Sequence, residues 1–306
     1  MLSPPWGGFQ YGGAMKQVRA MCLVMIGVLT LSAGSAADLV QLTPEFNLSA
    51  ASSDAHAAPA TASDPLGNTI ATWQRQGAST NGWDIFGRRF DASGVAQGAE
   101  FPVNSVTAGC QQYPAVARAA DGSFVVVWQS DSATAGVDIV ARLFLASGAP
   151  AGSEFLANTV TAGDQLFPAI AMAPSGAFVV AWEGPDASGS GVFSRTFAAG
   201  GTPVSAEFSA AQTTAGSQVM ATAAFSVSAT APDRFWLAWS SLGQDGSGGG
   251  VVLRSFNLVG AALSSETLVP VTTDSTQTRP RIAADASGNV VVVWEGQTDG
   301  SASGVA

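Results

Sequence analysis

The chain is poor in charge, histidine, cysteine and tyrosine, and each shortage closes off a class of chemistry. Only 11% of its 306 residues are charged while 47% are hydrophobic, so a sizeable core is available and no disordered class fits. His56 is the only histidine, which leaves Ser-His-Asp and Cys-His arrangements a single candidate base with no motif around it, and G-x-S-x-G does not occur. One histidine and two cysteines cannot furnish a zinc site. Basic residues are also scarce: 12 Lys and Arg face 22 Asp and Glu, a formal charge of −10. Phosphate binding needs clustered cations, so nucleic acid and anionic membrane are poor partners. No stretch after residue 37 shows helical periodicity, and Ala, Gly, Ser, Thr and Val dominate instead.

The first 37 residues stand apart. From Met15 to Ala37, Lys16 and Arg19 precede an apolar run, Met21 to Leu31, that ends in small residues. That order is a secretory signal peptide with cleavage expected before Asp38, and the run falls short of the roughly 20 residues of a spanning helix. Residues 1–14 fit no part of such a signal, so Met15 reads as the true start. The domain is then 38–306, secreted, periplasmic or at the cell surface. Without the signal only Cys110 remains, so no internal disulfide forms.

Residues 114–144, PAVARAADGSFVVVWQSDSATAGVDIVARLF, are repeated along almost all of that domain. A tryptophan closes an apolar run at Trp73, Trp128, Trp182, Trp239 and Trp294, at spacings of 55, 54, 57 and 55. Fourteen residues before four of them stands a proline: Pro59, Pro114, Pro168 and Pro280. Each copy divides into four short runs of β-branched and aromatic residues separated by Gly, Asp, Ser and Pro, which predicts four strands joined by turns. The second run is apolar at nearly every position and must be buried on both faces. Four antiparallel strands in each of five successive units predict an all-β fold, a β-propeller with five tryptophan-anchored blades. Glu45-Phe46 matches Glu100-Phe101, so the domain opens with a lone fourth strand, and it stops at Ala306 with the last blade incomplete, as expected of a piece of a larger propeller.

Strand alternation sorts the loops onto two faces, and the longer polar loops, with the crossings between blades, share one of them. Two repeated features there are candidate sites. Crossings of the type Thr-Ala-Gly-x-Gln bring Gln111, Gln165, Gln218 and Gln277 to equivalent places, with His56 at the same place in the first copy. Such a repeated amide either satisfies backbone groups between blades or forms a ring that reads sugar hydroxyls. Four loops carry one aspartate each, Asp131, Asp186, Asp245 and Asp299. Calcium is the ion such oxygens would suit, although no calcium-loop spacing is present and ordinary solvated turns need no ion at all. A third feature, Arg88, Arg142, Arg195 and Arg254, each two residues before a phenylalanine, is expected to be structural because it recurs unchanged.

The combination F-D-A-S-G, E-F-x-V-N, T-A-G-x-Q and D-G-x-F-V-V-x-W within Arg88 to Asp131 resembles the tandem repeats of about fifty residues found in bacterial secreted and surface proteins, often beside calcium-binding repeats and adhesin modules. The resemblance spans roughly residues 39–306 and implies secretion and a propeller-like domain rather than an activity. Sialidase-type propellers place an Asp-box aspartate five residues before a tryptophan, whereas here Asp121 stands seven before Trp128 and Asp285 nine before Trp294. The expectation is therefore a secreted, non-enzymatic binding module for glycans or proteins at a cell surface, needing no cofactor. The alternatives are a glycan-cleaving propeller enzyme and a structural spacer.

Overall fold

The computed structural model describes residues 46–49, 54–76, 82–131, 136–226, 234–246, 248–271, 276–285, 287–296 and 304–305. The proposed signal peptide and Asp299 lie outside them. Among the described residues there is no helix, hence none long and apolar enough to cross a membrane. Five antiparallel sheets follow one another along the chain. Blade 1 comprises β1 (His56–Ser63), β2 (Thr69–Gln76), β3 (Trp83–Phe90) and β4 (Phe101–Pro102). Blade 2 comprises β5 (Gln111–Arg118), β6 (Phe124–Asp131), β7 (Val137–Phe144) and β8 (Phe155–Leu156). Blade 3 holds β9 (Leu166–Met172), β10 (Phe178–Asp186), β11 (Gly189–Phe197) and β12 (Phe208–Ser209). Blade 4 holds β13 (Gln218–Ser226), β14 (Arg234–Leu242), β15 (Gly249–Asn257) and β16 (Thr267–Leu268). The last sheet has three described strands, β17 (Gln277–Ala284), β18 (Val290–Gly296) and β19 (Gly304–Val305). This is the blade architecture of a β-propeller. The first strand forms one edge of every sheet and neighbours the first strand of the next blade, so first strands are innermost.

Period-two alternation explains why the second strands are apolar throughout. In β6, Phe124, Val126 and Trp128 pack on Ile70, Ile85 and Val103 of blade 1. Val125 and Val127, pointing the other way, pack on Phe178, Val180 and Trp182 of blade 3. Val179 and Ala181 then meet Phe235, Leu237 and Trp239 of blade 4. Each such valine or phenylalanine is fully buried and contributes about 1.5–3 kcal/mol. The pattern breaks only in β18, where Val291 and Val293 are exposed on the side away from blade 4.

The repeated motifs outside the strands act as clamps between blades. Arg142 Nη1 donates to the Val103 carbonyl of the preceding blade at 2.8 Å, while its Nε donates to Gly152 O in its own hairpin. Arg195 and Arg254 make the same pair of bonds, to Ala157 and Ser205 and to Ala210 and Ser264. Each guanidinium also lies 5.3–5.6 Å from the ring of the phenylalanine two residues on. In the E-F-x-V-N motif, Asn104 Oδ1 accepts from Ile85 N, and Asn158 Oδ1 from Ile139 N, locking the third strand to the fourth. The glutamate of that motif reaches the preceding blade: Glu154 accepts from Ser105 and Glu207 from Thr159. Phe46 sits 5.4 Å from Phe90, as Phe101 sits 5.8 Å from Phe144, and Arg88 donates to Leu48 O. Residues 46–49 therefore lie on blade 1 where a preceding fourth strand lies on blades 2, 3 and 4.

Candidate functional site

The repeated glutamines are core latches. Gln111, Gln165, Gln218 and Gln277 are at most 1% exposed and each begins or adjoins a first strand. Gln111 Oε1 accepts from the Trp128 indole at 2.9 Å, and Gln165 Oε1 from Trp182 at the same distance. Their amide nitrogens close onto crossing carbonyls, those of Ala108 and Gly163. Gln218 donates to Ala215 and Gly216 in the same way. His56 places its ring 6.5 Å from that of Trp73. These side chains point into the blades, which fits the reading in which they satisfy backbone groups and is opposed to a ring that reads sugars.

The loop aspartates do not converge. Asp186 Oδ1 caps its own turn through Ser188 N at 2.8 Å, Asp131 is exposed and Asp245 half-buried on separate blades. Among the described residues no three His, Cys, Asp or Glu side chains come together as a metal-ligand set.

A different set of residues shares one place in every blade, at the end of the innermost strands nearest the crossings. Each first strand has a bulge there: Gln112 pairs with Gln129 and Ala115 with Val127, so that Tyr113 and Pro114 together oppose Trp128. The same two-against-one arrangement occurs in every blade. This explains the proline spacing, because a bulge needs no ladder N–H from that residue. The residue before it takes a left-handed backbone: Ala58 (φ 47°), Tyr113 (51°), Phe167 (49°), Met220 (57°) and Arg279 (52°). For a non-glycine residue this costs about 1–3 kcal/mol. The chain has 35 glycines and places none at these five positions.

Four of the five strained amides are tied to the preceding blade by the residue that follows that blade's tryptophan. Tyr113 N donates to Gln74 Oε1 at 2.9 Å, Phe167 N to Gln129 Oε1 at 2.8 Å, Met220 N to Glu183 Oε1 at 2.6 Å and Arg279 N to Ser240 Oγ at 3.1 Å. Clamp and latch residues recur from blade to blade, whereas the five bulge side chains all differ. Tyr113 and Phe167 are 42% and 43% exposed and meet edge-on with centroids 5.1 Å apart. Arg279 is exposed and bonds Glu295 at 2.9 Å.

Of the five residues that follow the tryptophans, Gln74, Gln129, Glu183, Ser240 and Glu295, Glu183 is the buried carboxyl. Two equivalent positions carry a neutral amide, Gln74 and Gln129, yet Glu183 puts a carboxyl there with 5% of its surface exposed. Burial pushes its pKa up to about 7, only partly offset by the Met220 N–H. Nothing in the sequence alone distinguished Glu183 or the bulge residues. The usable signal was the residue after each tryptophan and the residue before each proline, read across the copies for departures rather than for agreement.

No protein-family model matches the chain, and no curated protein matches it. Solved structures do. An α-L-arabinanase of Penicillium chrysogenum, complexed with arabinobiose, is 10% identical with a TM-score of 0.53, the match covering 80% of this chain and 78% of that one. An α-L-arabinofuranosidase of Fusarium graminearum, complexed with an iminosugar inhibitor, is 12% identical with a TM-score of 0.52, covering 81% and 74%. At such identity the likeness is one of fold. It corrects the expectation of a non-enzymatic binding module all the same: the propellers it matches are an arabinanase and an arabinofuranosidase.

Proposed function

We propose that this protein cleaves glycosidic bonds in extracellular glycans at the ring of bulge residues, with Glu183 as the proton donor. The observation that carries this reading is a buried carboxyl of pKa about 7 at a position where two other blades carry an amide that makes the same backbone bond. Glycosidic cleavage needs one carboxylic acid that is still protonated near neutrality and one ionised carboxylate. A protonated Glu183 keeps one oxygen as acceptor for Met220 N and offers the proton on the other to the leaving oxygen. Glu295, at the corresponding position of blade 5 and paired with Arg279, is the second carboxyl assigned, as base or charge stabiliser. Secretion by the signal peptide, and an acidic surface suited to neutral polymers, fit the same reading.

The test is reducing-end release from arabinan, arabinoxylan and other neutral polysaccharides by the native chain and by Glu183→Gln. The variant retains an acceptor for Met220 N and should lose about 10²–10⁴-fold in rate while staying folded. No release above blank on any polymer, or equal rates for the two chains, would overturn the assignment.

A further inference from the structure

We infer that Tyr113 and Phe167 form a stacking platform for a neutral sugar ring, and that the preceding blades hold it rigid through Gln74 and Gln129. This deepens the proposed hydrolase and rests on it for the location of the bond that is cut. Three independent features converge on the pair. Both rings are more than two-fifths exposed although each follows a strand start in the middle of a propeller, where large apolar side chains are otherwise covered. Both backbones sit in a left-handed conformation that a glycine would adopt without strain, so what the strain retains is the side chain. Both amides are pinned from behind, at 2.9 and 2.8 Å, by side-chain carbonyls whose own residues are nearly or fully buried.

The geometry suits a carbohydrate. Two rings meeting edge to face at 68° present an apolar corner, against which the C–H face of a pyranose or furanose packs while its hydroxyls remain in water. The Tyr113 hydroxyl adds one polar handle to that corner. Next around the ring come Met220, an adaptable thioether, and Glu183 below it, so a sugar seated on the corner extends toward the acid along the ring. The chain's formal charge of −10 repels polyanionic glycans, which makes a neutral sugar the expected occupant.

The experiment titrates Glu183→Gln, which binds without turnover, with arabinotriose, xylotriose, cellotriose and trigalacturonate, using calorimetry and proton NMR. At least one neutral trisaccharide should bind saturably, and its C–H protons should move upfield by ring current; trigalacturonate should not bind. Tyr113→Ala and Phe167→Ala should each weaken binding on the order of tenfold and abolish the upfield shift. Alanine keeps the left-handed strain of the parent residue, so unfolding midpoints should stay close to native, and Tyr113→Phe should restore the shift. Binding by none of the neutral sugars, or binding indifferent to both alanine changes, overturns the platform. Binding with ring-current shifts in a native chain that cleaves nothing removes the hydrolase and leaves the platform. Cleavage that survives both alanine changes does the reverse.

Discussion

Glu183→Gln should make the protein more stable at alkaline pH, because it replaces a buried carboxyl that resists ionisation with an amide that does not titrate. The carboxyl titrates near 4.5 in the unfolded chain and at about 7 in the folded one. Between those values the folded chain keeps a proton that the unfolded chain releases, so stability falls as pH rises. The contribution is fully present below about 4.5, declines by about 1.4 kcal/mol per pH unit through the window, and is gone above about 7. The whole difference is about 3 kcal/mol, which for a domain of this size corresponds to roughly 6–12 °C in Tm. Glutamine preserves the acceptor for Met220 N, as Gln74 and Gln129 do in blades 1 and 2, and does not titrate.

The assay is denaturant unfolding of both chains from pH 5 to pH 8. Other carboxyls run the opposite way. In Asp64, burial raises the pKa, but bonds from Asn68 and Leu66 and the charge of Arg118 outweigh it and hold the group low, so its contribution is lost as pH falls. Such groups are common to both chains and cancel in the difference. The difference curve should rise in favour of the variant across the window and flatten above pH 7. Parallel curves would refute the raised pKa and, with it, the case for Glu183 as an acid.

Four further outcomes follow from the same contacts. If Glu183 is the proton donor, kcat/KM on the cleaved polysaccharide should fall above a basic limb near pH 7, and a limb displaced beyond pH 9 would assign the proton elsewhere. Gln165→Ala should cost about 1–3 kcal/mol in chemical unfolding by stranding the Trp182 indole, with no effect on sugar affinity. Gly109→Ala would put a Cβ 1.7 Å from the Asp131 carbonyl at φ +76°, and should cost about 4 kcal/mol or more, whereas Gly98→Ala, at φ +104° with open space around it, should cost about 1 kcal/mol. Arg118→Ala should cost about 3–5 kcal/mol, since it leaves the Asp64 carboxylate buried without the cation that now lies 3.1 Å away, and calorimetry of the single and the Asp64→Ala double variant would check that coupling.

The fold was legible because its determinants are local and repeated. An apolar run ending in tryptophan, turns with Gly or Asp, and Arg two before Phe need only period-two reasoning to become four strands and a clamp. Proline at Pro114 suggested a strand beginning there, whereas β5 starts at Gln111 and passes through the proline as a bulge. Starting the strand at Gln111 takes that glutamine out of the crossing and into the core, and brings Tyr113 onto the strand. Register, not composition, decides which way those side chains point, and no propensity reports a left-handed residue that is not glycine or asparagine.

Agreement between copies marks blade packing before it marks ligand contact. In a scaffold of near-equivalent blades, what holds one blade on the next recurs in several copies: the Gln–Trp latch in blades 2 and 3, the arginine clamp in blades 1 to 4, the Asn lock in blades 1 and 2. A ligand seated on the axis meets five blades at once from different directions, so the groups that touch it have reason to differ. Ala58, Tyr113, Phe167, Met220 and Arg279 share one backbone conformation and one place in the fold, and no two share a side chain. The scaffold accordingly bears the same strain five times over, and only a surface with one small, two aromatic, one thioether and one cationic group results. That unequal ring, above a carboxyl where two other blades carry an amide, is the part of the molecule whose chemistry the packing of the blades does not require.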